Sequence, residues 1–124
     1  MPITFLIDPQ LHLVRTTYVG LITMVDLAMY ARVLADRGLL KLAQLIDARQ
    51  ALLKLTAEEM RILSELMTTL RSKHGRAPVA FIAGNAPSYY LAESYQKFGA
   101  GGNPRFATFT DVASAETWLV LEEQ

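Results

Sequence analysis

Leu42-Ala-Gln-Leu-Ile46 is a short apolar run closed by Asp47, and some way beyond Arg49 comes Thr56-Ala-Glu-Glu59, a threonine followed three residues later by a glutamate. A brief apolar run bounded by a polar stop is the mark of a strand covered on both faces. A threonine and a glutamate at that spacing satisfy two orphan amides at a helix start. Met60, Leu63, Leu66 or Met67, and Leu70 then fall on one face as far as about Lys73, which predicts a helix buried along one side. A covered strand feeding an amphipathic helix is one β-α unit of a layered sheet.

Toward the N-terminus, Ile3 to Asp8 and Leu11 to Val19 read as strands, the second alternating His12, Val14, Thr16 and Tyr18 with Leu13, Arg15, Thr17 and Val19, and ending at Gly20. Pro9 and Gln10 are too short a link for a helix, so the two strands form an antiparallel pair. From Thr23 the period lengthens: Leu27, Ala31, Leu34 and Ala35 recur at helical spacing, Asp26 lies in the first turn, and Arg37-Gly38 closes the helix. Toward the C-terminus, Pro78 to Ala83 is another covered strand. Gly84-Asn85-Ala86-Pro87-Ser88 leads into a helix from about Tyr89 to Phe98, capped by Asn85 or Ser88. Gly99 to Pro104 reads as a mobile connection, Phe106 to Phe109 as a strand, and Asp111 as the start of a last helix. The order predicts an α/β protein: a five-stranded mixed sheet, an antiparallel N-terminal strand pair followed by β-α units, with four helices packed on it.

Composition bounds the function. The chain has 124 residues, 52% of them hydrophobic, with 12 basic and 12 acidic side chains and no cysteine. That length predicts a single domain over residues 1–124 with a core needing no disulfide or metal. No apolar stretch approaches the ~20 residues that span a bilayer, and Met1 to Gln10 carries no secretion signal, so the expectation is a cytoplasmic protein with no membrane span. Balanced charge argues against nucleic acid. His12 and His74 lack metal-ligand spacing, and no serine lies in a nucleophile setting, so no metal, cofactor or catalytic residue is assigned. The Gly-x-Gly-Gly at Gly99 to Gly102 follows a helix and precedes a strand, the reverse of a dinucleotide-binding turn. Met24, Met29, Met60 and Met67 read as core. Arg71, Lys73, His74 and Arg76 read as solvated cations at a helix end, where the dipole favours them.

Ligands of open parallel sheets bind beyond the carboxyl ends of the strands. Asp47 and Arg49 follow one such strand; Gly84, Asn85 and Ser88 follow the next. With Tyr89 or Tyr90 as a wall, Asp47, Arg49, Asn85, Ser88 and Tyr89 form the candidate ligand-binding set, with free amides near Ser88 suited to a small anionic or lipid ligand. The same residue types also serve as strand stops and helix caps. Tyr89, Tyr90, Tyr95 and Phe98 cover more than one face of a short helix, which leaves aromatic surface for a second copy and predicts a homodimer.

The opening strand pair, Gly20-Leu-Ile-Thr23, Leu45-Ile-Asp47-Ala-Arg49, the capped helix after Thr56, Val79-Ala-Phe-Ile82 and Phe109-Thr-Asp-Val-Ala-Ser-Ala-Glu-Thr-Trp-Leu119 together resemble the STAS-like, SpoIIAA-like proteins related to anti-sigma-factor antagonists, over nearly the whole chain. In the signalling branch, the loop after the central strand carries an Asp-Ser-Ser-Gly-like motif with a phosphorylated serine. The matching positions here are Leu55, Thr56, Ala57 and Glu58, so the resemblance implies the scaffold without that switch, and Glu58 and Glu59 would repel an added phosphate at Thr56. It implies a non-enzymatic regulatory or protein-interaction module, working through a protein partner or self-association. The alternative from the residues themselves is a small-molecule or lipid-binding domain with a polar pocket at the strand ends.

Overall fold

The computed structural model describes residues 2–71 and 77–122. Five strands, β1 (Ile3–Asp8), β2 (Leu13–Ile22), β3 (Ala43–Leu53), β4 (Val79–Ala83) and β5 (Phe106–Phe109), lie side by side in chain order. β1 runs antiparallel to β2, and the other neighbours are parallel. Four α-helices connect and cover them: α1 (Met24–Asp36), α2 (Ala57–Arg71), α3 (Ala86–Lys97) and α4 (Val112–Glu122). The architecture is the five-stranded mixed sheet with four helices that the sequence predicts.

Side-chain alternation divides the sheet into two faces. Val14, Tyr18, Ile46, Val79, Phe81 and Phe106 point into the larger core, beneath Leu27 and Leu34 of α1, Met60 and Met67 of α2, and Tyr95 of α3. Leu13, Leu45, Ala80 and Ile82 point the other way, onto Ala115 and Leu119 of α4. α4 is aligned with β3, β4 and β5, so this back face is left open over β1 and the far half of β2.

Both early helices begin as their sequences prescribe. Thr23 caps α1 with a reciprocal Asp26 bond. At α2 the Glu59 amide donates to Thr56 Oγ1 (3.1 Å) while the Thr56 amide donates to the Glu59 carboxylate (2.9 Å). α3 starts earlier than its aromatic residues suggest, because Asn85 takes the cap, accepting from the Ser88 amide at 2.9 Å.

Several local expectations are corrected. Asp47 does not end β3, nor does Gly20 end β2. The register slips between Thr17 and Val19, and pairing then resumes from Val19 with Gln50 to Ile22 with Leu53. The extra residue lies on β3, between Asp47 and Gln50, a bulge that twists the ribbon without breaking it, and Gly20 continues the pairing with Ala51 at φ 77°. His12 lies in the turn before β2, exposed and at φ 54°. Met29 is 61% exposed on the outer side of α1. Gly99 to Asn103, expected to be mobile, is packed down: Ala100 and Asn103 are buried. Ser64 of α2 ties that segment by donating to the Phe98 carbonyl and accepting from the Gly101 amide.

Candidate functional site

Asp47 and Arg49 stand within β3, Asn85 at the cap of α3, and Ser88 and Tyr89 in its first turn. The strand ends do bring the two loops together, for a Cβ added at Gly84 would lie 2.4 Å from the Arg49 carbonyl oxygen. The charges, however, are spent on each other. Arg49 donates to Asp47 through Nε at 3.0 Å and Nη2 at 2.8 Å, and its amide donates to the same carboxylate at 3.1 Å. The guanidinium hydrogen bond holds the Asp47 carboxyl below its ordinary range. The Asn85 side chain is committed to its cap. Asp47 pairs in register with Thr17 on the back face of the sheet, whereas Tyr89 packs against the larger core on the front. Ser88 is buried, and its hydroxyl has no hydrogen-bond partner among the described residues.

The larger concavity lies inside the front layer. Between the sheet and helices α1, α2 and α3 is a cavity of about 90 Å³, partly open to solvent. Its sheet floor includes Tyr18, Gln44, Phe81 and Phe106; its helical walls include Leu34, Met67 and Tyr95. Tyr30, Leu53 and Leu55 are its half-buried lining residues and stand toward solvent. Such a volume has room for about three waters, at the ~30 Å³ each takes in the liquid.

Its polar groups are few and specific. Tyr30 spans from α1 to the sheet: its hydroxyl donates to Gln44 Oε1 at 3.0 Å, which leaves the Thr16 hydroxyl to donate to Tyr30. Tyr18, Tyr30 and Tyr95 are all held neutral by burial, which pushes the Tyr95 phenol up to about 12.

Arg71 is the unusual group. Expected as a solvated last-turn cation, it is only 7% exposed and forms part of the cavity wall, with Nη1 buried and unpartnered. The other members of its expected cluster, Lys73, His74 and Arg76, lie outside the described residues. Burial lowers the Arg71 pKa, and its electrostatic neighbours are the Tyr95 and Tyr30 phenols rather than a carboxylate. Residues 66 to 92 contain no Asp or Glu. A helical period does carry a clue: Arg71 falls four positions after Met67 and eight after Leu63, on the apolar side of α2.

Among the described residues, no cluster of His, Asp and Glu is arranged to hold a metal ion, and no helix is long and apolar enough to cross a membrane. Among solved structures, an uncharacterised protein of the DUF3478 family with a SpoIIAA-like fold, from Shewanella loihica PV-4, is similar over 94% of this chain and 93% of its own, at 21% identity and a TM-score of 0.61. The fold of this chain is therefore SpoIIAA-like, as the sequence resemblance implies. No family model and no curated protein matches the sequence.

Proposed function

We propose that this chain is a non-enzymatic binding module whose interior cavity holds a small, largely apolar molecule. The observation that carries this reading is the cavity itself: a concavity walled by aromatic and aliphatic side chains from the sheet and three helices, and partly open to solvent. Concave, mostly apolar sites with a few convergent polar groups are the usual form of a ligand site. No step of chemistry is proposed, because the phenols are held neutral and no nucleophile-base pair lies among the lining residues. Native mass spectrometry of freshly purified protein, with thermal shifts for a panel of small apolar molecules, tests the reading. A retained mass or a saturable shift, lost when Ala92→Leu fills the cavity, is expected. No retained mass and no shift from any member of the panel would refute it.

A second reading, interaction with a protein partner or a second copy, is supported by the open back face. Leu6, Val19, Leu21 and Leu52 are each about half exposed or more there, and Leu21 and Leu52 are register partners. Light scattering of wild type and Leu21→Lys tests it: a dimer that the lysine dissociates is expected, and a wild-type monomer at high micromolar concentration overturns it. In either reading Thr56 serves as a helix cap rather than a phosphoswitch, supported by its committed hydroxyl and the adjacent acids. Asp47, Arg49, Asn85, Ser88 and Tyr89 are proposed as architectural groups, strand and helix-start residues rather than a ligand pocket, supported by the Arg49–Asp47 pair and the Asn85 cap.

A further inference from the structure

Resting on the reading of the cavity as a ligand site, we propose that its occupant is a monoanion, a carboxylate carried on an apolar body, with the carboxylate received by Arg71.

A buried charge is costly unless it is paired and hydrogen-bonded. Arg71 is buried, and among the described residues its Nη1 has no partner and no carboxylate supplies it with a counter-charge. The adjacent stretch of chain cannot provide one, since residues 66 to 92 lack acidic side chains. The C-terminal end of α2, where Arg71 sits, gives the charge some favourable dipole potential, but carbonyl dipoles do not fill the empty donor site at Nη1. A ligand that brings a negative charge into the cavity does both.

The character of the wall narrows the class. One guanidinium neutralises one negative charge, and among the described residues Arg71 is the only cationic side chain lining the cavity. The neighbouring phenols stay protonated and add no further charge. A phosphate dianion would remain half uncompensated in such a place, whereas a carboxylate matches the guanidinium in charge and in its planar, two-pronged geometry. Past Arg71 the lining is Leu34, Leu63, Met67, Ala92 and other apolar groups, which suit a hydrocarbon body. The cavity volume of about 90 Å³, room for about three waters, takes the carboxylate and the first carbons of the body. A longer tail must leave the cavity past its half-buried lining, which includes Tyr30, Leu53 and Leu55.

The test compares hexanoate with hexan-1-ol and hexylammonium, which share the tail and differ in headgroup, by calorimetric titration of wild type and Arg71→Met. Hexanoate is expected to bind at least about tenfold more tightly than hexan-1-ol, the gain typical of a charge-assisted hydrogen bond. That preference should vanish in Arg71→Met while hexan-1-ol binding remains. Dodecanoate separates a short free acid from the end of a long acyl chain: tighter binding than hexanoate identifies the latter, weaker binding the former, and both keep the carboxylate. Equal affinity for acid and alcohol leaves the cavity reading intact and overturns the anion, with Arg71 then satisfied by water alone. No binding of any probe overturns both. A second readout needs no ligand. Without its anion the wild type carries an uncompensated charge, so Arg71→Met should melt no lower than unliganded wild type; a drop of several degrees would mark Arg71 as a structural group. Should the variant fail to fold, the headgroup ranking on wild type decides alone.

Discussion

Gly84 lies against the backbone of Arg49 so closely that a Cβ on it would come within 2.4 Å of the Arg49 carbonyl oxygen and 2.6 Å of its Cα. The contact joins the end of β4 to the bulged part of β3, and neither side has a flexible side chain that can yield. Gly84→Ala therefore forces two strands apart beside the Asn85 cap. The expected cost is about 1–3 kcal/mol, read as a lower urea midpoint with an unchanged slope.

Ser64 bonds twice to the segment that follows α3, donating to the Phe98 carbonyl at 2.8 Å and accepting from the Gly101 amide at 3.0 Å. Ser64→Ala leaves a buried amide without an acceptor, at a cost of about 1–3 kcal/mol. Hydrogen exchange at the Gly101 amide should accelerate in the variant, while the amides of β3 and β4 keep their protection relative to the lowered global stability.

The buried phenols predict loss of stability in alkali. In the unfolded chain Tyr95 ionises near 10; in the fold it is pushed up to about 12. A raised folded value means that the neutral form is favoured by the native state. Its stabilising contribution is whole below pH 10 and is lost as the pH climbs toward 12. For Tyr95 alone that amounts to about 3 kcal/mol, with Tyr18 and Tyr30 acting in the same direction. Melting temperature should fall steeply above pH 10, and Tyr95→Phe should flatten the fall.

Thr56→Ala removes the hydroxyl that accepts from the Glu59 amide and should destabilise the protein by about 1 kcal/mol. Because Glu59 completes the same reciprocal pair, Glu59→Ala should cost less in the Thr56→Ala background than in wild type. Chemical denaturation of the four members of that cycle measures the coupling.

The architecture was legible because local signals and layers agreed: period-two strands before Gly20, the Thr56-to-Glu59 cap, and apolar runs at β3 and β4. Boundaries failed where tertiary pairing overrode punctuation. Asp47 and Gly20 look like stops, yet the bulge lets β2 and β3 continue as a ribbon past β4. The glycine-rich Gly99 to Gly102 looks free, yet positive φ angles let its backbone nestle against α2, where a Cβ on Gly101 would meet Met67 at 2.4 Å. The inward place of Arg71 was hidden for a different reason. Composition marks an arginine at a helix end as solvated, and only its phase relative to Leu63 and Met67 places it inward. The strand-end residues were visible as polar groups, but sequence does not reveal that Asp47 and Arg49 answer each other.

Strand order that matches chain order has a consequence for biosynthesis. Each strand pairs with the one made just before it, so loop closures stay short and assembly can follow synthesis from the ribosome, unit by unit. Among the described residues, Phe106 is the sole member of the cavity wall that comes after α3. A nascent chain emerging only as far as Lys97 already carries every other described wall residue, Arg71 included, so the lining of the cavity is largely encoded before the final strand and its helix have been translated.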